Sequence, residues 1–395
     1  MKIRKSDLIL RDSGNNYDTD VISKRLEDIE LKTNCKFTHI KEHSIDSEAL
    51  TGNIENLIGV TQIPLGVAGP LKVDGDFANG IFYVPMATTE GSLVDSYTRA
   101  MLVTSIAGGI KTKILKDEMH ITPVFLTKCV DDAVKIRDYI EDNFDRLKQI
   151  AEETTSHGKL LRITTRIFNR EIYAKFIFYT GDAMGLNMIN ISTNSACKHI
   201  SEKFNNIKFL LRSNLSSDKK PSFMNVINGY GKRVHAECTI PASILNRYFK
   251  AAAADIVQGF RIANYSQMQN GSIGLNQHFA NGLAAVFIAT GQDIAQIVNG
   301  ACGWSISEIS GDNDLYVSIT IPNLLVGTVG GGTKVGCQNE ALEMLGCYGA
   351  GKSKKFAEII AATILAGELS LGAAMVHGDF ISAHTKKNDE IKKNL

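Results

Sequence analysis

The sequence predicts an α+β protein that carries a small inserted domain, and three observations point there. The first sixty residues are polar and helix-forming, and from Asn56 onward an apolar, glycine-punctuated segment takes over. Between about residues 121 and 211 the apolar period switches in the order strand, helix, strand, strand, helix, strand. That is the order of a ferredoxin-like split βαβ unit. Residues 356 to 376 then form a helical stretch containing the most apolar run of the chain, Ile359 to Val376. The expected organisation is a helical N-terminal region, 1–55, and a main body formed by 56–120 together with 212–385. The insert occupies 121–211, and a charged tail, 386–395, is expected to be mobile.

Taken in order, Asp20 to Lys32 places Val21, Ile22, Leu26, Ile29 and Leu31 among charges, as a surface helix does. Leu57 to Gly69 is apolar and broken by Pro64, Gly66 and Gly69, with a turn expected at Asp74-Gly75. Phe82 to Pro85 predicts a strand. Thr88-Thr89 predicts an N-cap for the periodic run Leu93, Tyr97, Met101, Val103. Inside the insert, strands are expected at Val124–Cys129, Lys159–Thr165, Glu171–Tyr179 and Ile207–Leu211. Helices are expected at Asp132–Thr154 and about Met184–Phe204. After Asp218 small residues concentrate, at Ala251–Ala254, Asn270–Gly274, Gly327–Gly332 and Gly346–Gly351, which suits close helix packing and close approach of backbone to a ligand.

Composition excludes several functions. Lys plus Arg number 43 against 42 for Asp plus Glu, so no net field favours nucleic acid or an acidic membrane. The first ten residues lack the apolar core of a signal peptide. Ile359 to Val376 is interrupted by Gly367, Glu368 and Gly372 and looks too short to span a bilayer. The seven cysteines are odd in number and form no CxxC pair, which argues for reduced thiols and against a disulfide frame or a zinc site. A cytoplasmic protein without a metal is expected.

Several short segments carry chemistry-bearing residues. Ala87-Thr88-Thr89-Glu90-Gly91 sets a carboxylate at a strand-to-helix junction, where an exposed first-turn Glu is the ordinary reading. Asp218-Lys219-Lys220-Pro221 is either a solvated turn or an ammonium placed to stabilise a developing alkoxide. Asp293, in Gly291-Gln292-Asp293, interrupts apolar sequence, which is costly unless the carboxylate is paired. His384 follows the apolar helix, and a lone His is more often structural than catalytic. Gly181 to Asn187 lies at a strand-to-helix transition whose free N–H groups could hold a phosphate. Gly327 to Thr333 could let a flat ring lie on bare backbone, and either segment could equally be a plain glycine turn. Neither segment is a GxGxxG fingerprint.

Together these segments resemble one family, the class I 3-hydroxy-3-methylglutaryl-CoA reductases in their soluble catalytic part. The resemblance runs from Glu55-Asn56-Leu57-Ile58-Gly59 to His384 and takes in Pro64–Leu71, Pro85–Gly91, Asp182–Asn187, Asp218–Pro221, Gly291–Asp293, Gly327–Thr333 and Ala366–Leu371. It implies a large α/β domain built around a central helix, with the insert as the nicotinamide-cofactor domain. It also implies a homodimer, or a tetramer of two dimers, with the active site completed at the dimer interface.

The reaction implied is a four-electron reduction of an acyl-CoA thioester to a primary alcohol, using two NADPH or NADH and releasing coenzyme A. Lys219 would stabilise the oxyanion, His384 would protonate the departing thiolate and Glu90 would act as general acid. Asp293 would sit between Glu90 and Lys219. Cofactor contacts are implied at Ser156, His157, Asp182, Met184, Gly185, Asn187, Gly330, Gly331 and Gly332. Substrate contacts are implied at Ser96, Arg99, Arg212, Asn214, Asp218, Lys220, Arg261, Tyr265, His278 and Asn281.

The binding shell departs from the family pattern. A substrate-contacting Arg is replaced by Ile121, with Arg212 gained elsewhere as a possible compensation. Arg261 stands for a Lys and Tyr265 for a Gly, although anchoring on Gly271–Gly274 shifts that match by one residue. Thr98 and Leu102 replace an Asn and an Arg around the retained Arg99. An Arg that grips the 2′-phosphate of NADPH is replaced by Ser156, within Thr154-Thr155-Ser156-His157. Reduction of a different acyl thioester, CoA- or carrier-bound and possibly stopping at the aldehyde, is therefore an alternative. A non-catalytic CoA-ester-binding homologue is a third, weakened by retention of Glu90, Lys219, Asp293 and His384.

Overall fold

The computed structural model describes residues 5–377. The charged tail and His384 lie outside that range. The N-terminal region holds one regular helix, α1 (Thr19–Thr33), capped by the Asp18 side chain accepting from the Asp20 N–H. Although α1 lies at the surface, Arg25 on it is buried. Its guanidinium donates to the carbonyls of Leu10 and Leu57 at 2.9 and 2.7 Å and to Asn16 Oδ1 at 3.0 Å. A buried guanidinium must spend its donors in this way, and here they tie three irregular segments to one helix.

The main body begins with a hairpin, β1 (Leu65–Gly75) and β2 (Asn79–Ala87). Its turn lies one step later than the Asp74-Gly75 pair suggests, because Glu358 accepts from the N–H groups of Phe77 and Ala78 at 2.9 and 2.7 Å and fixes the bend there. Helix α2 (Leu93–Ile106) starts later than Thr88-Thr89 suggests: Ser92, with φ 72°, occupies the cap position. Strand β3 (Ile110–Ile121) then serves both domains. The insert continues through β4 (Val124–Leu126), α3 (Val130–Asp142), α4 (Phe144–Glu152), β5 (Lys159–Phe168), β6 (Glu171–Tyr179), α5 (Leu186–Lys203) and β7 (Phe209–Leu210). The single helix expected over Asp132–Thr154 is two helices. Asn143 leaves helical geometry, with its N–H and its Nδ2 both donating to the Tyr139 carbonyl, at 3.0 and 2.9 Å, so the side chain adds to the bond that ends α3.

The chain returns to the main body with α6 (Phe223–Asn228), β8 (Gly231–Ile240), α7 (Ala242–Tyr248), α8 (Ala253–Gln269), α9 (Phe279–Ala289) and α10 (Ile297–Gly300). It finishes with β9 (Trp304–Ser310), β10 (Asp314–Leu324), α11 (Gly336–Met344) and α12 (Ser353–His377). One sheet runs through both domains in the order β7-β4-β6-β3-β8-β10-β9, with β5 on β6 and the β1–β2 hairpin on β3. The join is within β3. Lys111 to Glu118 pair antiparallel with β8, whereas Met119 to Ile121 pair with β6. The two halves face separate apolar clusters, one around α12, α9 and α2, the other formed by β4, β6, α3, α4 and α5.

Helix α12 is longer than its apolar run suggested, and by length and composition it could cross a membrane. Its apolar window is 78% buried inside the protein, so it is the central helix of the large domain. A helix apolar on every side needs apolar neighbours on every side, and here α2, α8, α9 and the sheet provide them. Phe356, Ile360, Ile364, Leu365 and Leu369 are all fully buried, each side chain contributing roughly 1.5–3 kcal/mol of hydrophobic stabilisation.

Candidate active site

Helix α9 organises the site, with predicted catalytic groups at both of its ends. At its C-terminal end the chain turns through Gly291 and Asp293 starts a 3-10 turn, Ile294–Gln296, its carboxylate accepting from the Ala295 N–H at 3.2 Å. The other oxygen of Asp293 lies 2.7 Å from Lys219 Nζ. Both side chains are partly exposed, at 26% and 40%, so the pair is accessible from solvent. Lys219 sits on a loop with three left-handed residues, Asn214 at φ 65°, Ser217 at φ 51° and Lys219 itself at φ 57°. For non-glycine residues that backbone is held only where the surroundings over-determine it.

The surroundings here are polar and specific. Asp218 accepts from Arg212 at 2.7 Å on one oxygen and from Gln296 Nε2 at 2.8 Å on the other. Asn299 Nδ2 donates to the carbonyls of Ser217 and Lys220 at 3.2 and 3.4 Å. Lys220 Nζ turns back onto the Asp218 carbonyl, and the loop's first bend is closed by Ser217 N–H donating to the Asn214 carbonyl. Arg212 thus braces the lysine loop. Ile121, where a compensating exchange with Arg212 was expected, is buried in the core of the small domain and presents no charge to the site. The backbone alternates at this strand end, and the residue beside it, His120, is also buried, its ring 4.8 Å from that of Tyr230. Burial, with Lys175 and Lys116 nearby, drives His120 down to about 3, so it is neutral.

At the N-terminal end of α9, Asn281 Nδ2 donates to Glu90 at 3.1 Å, and the Glu90 N–H donates to Thr88 Oγ1 at 2.9 Å. Thr88, Glu90, Asn281, Ala284 and Ile288 line a cleft between β2 and α9. Behind it His278 is buried with Nδ1 3.0 Å from Tyr97 Oη. Burial lowers the His278 pKa, and the charge of Glu90 only partly opposes that. Glu368 on α12 accepts from the N–H groups of Gln277 (2.9 Å) and His278, anchoring the start of α9. Desolvation pushes this carboxyl up to about 7 against those donors.

The two groups are not contiguous within one chain. Asn281 and Ala289 are separated by eight residues of α9, about 12 Å at 1.5 Å per residue. Among the described residues no hydrogen bond or ion pair links Glu90 to Asp293 or Lys219, so Asp293 does not sit between them in a single chain.

A third group forms where the two glycine-bearing segments meet. The Thr328 N–H donates to the Asp182 carbonyl at 2.8 Å, and a Cβ on Gly327 would lie 2.7 Å from the Met184 nitrogen. Gly291 and Gly332 are packed backbone to backbone, a Cβ on Gly291 falling 2.3 Å from the Gly332 carbonyl oxygen. Gln292 Oε1 accepts from the Gly327 N–H at 2.9 Å. These contacts join the Asp293 segment to the glycine loop, whose Gly330 and Gly331 face open space. Gly185 starts α5 without a side-chain cap, and Asn187 is exposed in the first turn. Ser156 and His157, also exposed, lie on the loop whose Gly158 touches Met188 of the same turn. Asp182 has a different role. Its oxygens accept from the N–H groups of Gly351 and Ser353 at 2.7 and 3.0 Å, so it caps α12 from a distance. Burial would raise that carboxyl, but these donors outweigh it and hold the pKa low.

The remaining predicted residues lie elsewhere. Ser96 and Arg99 on α2 both meet Ser370 of α12, with Oγ–Oγ at 2.8 Å and Arg99 Nη2 donating at 3.1 Å. Arg99 also stacks on Phe249. Arg261 and Tyr265 are exposed one turn apart on α8, and neither touches the Lys219–Asp293 pair. Gln296 and Asn299 are functional candidates that sequence reasoning missed. A usable signal was present: two amide side chains three residues apart in an apolar stretch, in register with Asp293.

The same arrangement of domains is found in solved structures. The chain is similar to the class II 3-hydroxy-3-methylglutaryl-CoA reductase from Streptococcus pneumoniae bound to NADPH in open conformations, with a TM-score of 0.68 at 20% identity, covering 92% of this chain and 100% of that one. The protein thus has the fold of that enzyme. Among curated proteins it is 47% identical over 365 residues to the 3-hydroxy-3-methylglutaryl-coenzyme A reductase of Methanocaldococcus jannaschii, covering 90% of each. It is 45% identical over 369 residues to that of Pyrococcus horikoshii, covering 91% of this chain and 89% of the other. The family pattern of hydroxymethylglutaryl-coenzyme A reductase matches residues 21–389, and the chain belongs to that family.

Proposed function

We propose that this protein reduces 3-hydroxy-3-methylglutaryl-CoA to mevalonate, in two successive hydride transfers at one site. The observation that carries the reading is the Lys219–Asp293 pair at 2.7 Å, set on a braced loop and partly exposed to solvent. An ammonium held there can stabilise the oxyanion that each transfer creates, and preorganised charge of this kind is usually the largest catalytic term. Asp293 aims that ammonium. Glu90, oriented by Asn281, is the general acid on the aldehyde oxygen. His384 is assigned the protonation of the departing thiolate by family resemblance, and it lies outside the described residues.

The 12 Å of α9 between the Glu90 and Lys219 groups supports a homodimer. One protomer supplies Lys219 and Asp293, and Glu90 comes from its partner. Hydride is supplied by a bound nicotinamide dinucleotide, two equivalents per turnover. The uncapped start of α5, exposed Ser156, His157 and Asn187, and the bare Gly330–Gly331 backbone suit such a ligand, whereas Asp182 is spent on α12. A cytoplasmic location belongs to the same reading.

The second reading, reduction of another acyl thioester, is favoured by one observation: Ile121 brings no cation to the site and Arg212 is engaged with Asp218. The test is nicotinamide oxidation by the purified protein with 3-hydroxy-3-methylglutaryl-CoA and a panel of other acyl-CoA esters, with products identified. Mevalonate, with two cofactors oxidised per thiol released, is expected. Turnover confined to another ester establishes the second reading, and no turnover with any ester removes both.

A further inference from the structure

We infer that Gln296 is a positioning residue for Lys219, acting through the Asp218 carboxylate. Three side chains spaced three residues apart, Asp293, Gln296 and Asn299, stand in one row along the 3-10 turn and α10. All three meet the same four residues, Ser217 to Lys220. Asp293 takes the Lys219 ammonium, Gln296 takes Asp218 Oδ1, and Asn299 takes the carbonyls of Ser217 and Lys220. Gln296 and Asn299 are buried, at 0% and 1% exposure, in sequence that is otherwise apolar. A buried amide is expensive unless its hydrogen bonds matter to the fold or the site. Here the donors of both amides are spent on the lysine loop.

The geometry explains why the loop needs holding. Lys219 occupies left-handed backbone, and a lysine gains nothing intrinsic from that conformation. Its neighbour Asp218 is gripped from two sides, by Arg212 at 43% exposure and by fully buried Gln296. Arg212 is the solvated, replaceable grip. Gln296 is the rigid one, and it hangs from the helical turn that also carries Asp293. One short segment therefore sets both the lysine and its carboxylate partner. The ammonium is in place before substrate arrives, and no separate ordering step is required.

The inference rests on Lys219 being the oxyanion-stabilising group proposed above, so its test includes a measurement that needs no substrate. Competitive acylation followed by peptide mass spectrometry compares the reactivity of Lys219 with that of exposed Lys198 in wild type, Q296L and Q296E. Loosening the strut in Q296L frees Lys219 from Asp293 and raises its relative labelling several-fold. In the reductase assay the same variant loses about 10- to 100-fold in kcat, the effect of misplacing a catalytic group by about 1 Å, while KM for both substrates stays within about threefold.

Q296E supplies a signature that general destabilisation does not. A protonated carboxyl there can donate to Asp218 as the amide does, and an ionised one repels it. The ratio of Q296E to wild-type kcat therefore rises as pH falls, and Lys219 labelling approaches wild type over the same range. Unchanged Lys219 labelling in Q296L, or a pH-independent ratio for Q296E, overturns the inference. Altered labelling in a protein that reduces no thioester leaves the strut standing and removes the proposed reaction instead.

Discussion

Lys219 and Asp293, 74 positions apart in sequence, meet at 2.7 Å because the loop carrying the first is hydrogen-bonded to the helical turn that starts with the second. Neither residue is strongly buried, so the pair contributes little to stability. Exposed and half-exposed ion pairs are worth about 0–1 kcal/mol. Its value lies in where it leaves the ammonium.

Replacing Lys219 by Ala should abolish both thioester and aldehyde reduction while thermal stability changes by no more than a few degrees. Loss of one oxyanion donor costs on the order of 10²- to 10³-fold in kcat. Retention of more than about a tenth of the wild-type rate with either substrate would assign the oxyanion to another group.

The cofactor preference follows from Ser156, exposed on the loop beside the start of α5. A charge-assisted contact to a 2′-phosphate is worth roughly 1.5–3 kcal/mol, or about 10- to 100-fold in affinity. Without an Arg at this position, NADH should be used comparably to NADPH or better, and Ser156→Arg should shift kcat/KM toward NADPH. A wild-type preference for NADPH above about 100-fold, unaltered by the substitution, means that another group holds the phosphate.

Glu368 predicts a pH dependence of stability. Its carboxyl is raised to about 7 in the folded protein by burial, from an ordinary value of 4.5. The unfolded chain ionises first, so the folded state loses stability as pH rises from about 4.5 to about 7. The total is on the order of 3 kcal/mol at 1.36 kcal/mol per unit. Glu368→Gln keeps the acceptor for Gln277 and His278 and cannot ionise. Chemical denaturation across pH 5 to 8 should show wild type losing stability relative to this variant as pH rises, and parallel curves would mean that Glu368 is already ionised when folded.

Gly291 tests the join between the catalytic turn and the glycine loop. With φ 67° and a would-be Cβ 2.3 Å from the Gly332 carbonyl oxygen, Gly291→Ala must push the two backbones apart. The strained backbone alone costs about 1–3 kcal/mol, and the displaced Asp293 should lower kcat by about tenfold or more. A variant with wild-type melting temperature and rate would show that the loops part without consequence. The same change at Gly331, which faces open space, provides the comparison for backbone strain without a close contact.

Much of this was legible before the fold was seen. The strand Glu171–Tyr179 is placed to the residue by its alternating apolar pattern, and the small domain's elements follow in the expected order. The two-helix break at Asn143 was missed because amphipathic period alone continues smoothly across it; the decisive event is local, Asn143 leaving helical backbone with its N–H and its side-chain amide both on the Tyr139 carbonyl. Asp182 shows the reverse. Family resemblance implied a cofactor contact there, and its oxygens also accept from N–H groups of residues about 170 positions away, a pairing no local pattern announces.

Local sequence thus determined which residue types sit at turns, strand ends and helix starts, because backbone preference and apolar period act over a few residues. It marked Asp293 as a carboxylate interrupting apolar sequence and left Glu90 and Lys219 open to an ordinary surface reading, and family resemblance supplied their chemistry. Tertiary structure decided which of them meet. Lys219 finds Asp293 because Gln296 and Asn299 reach its loop, while Glu90 lies a helix length away at the other end of α9. Long-range pairing of this kind depends on the packing of α9 and α12 through the core, a property of the assembled fold that no short window of residues carries.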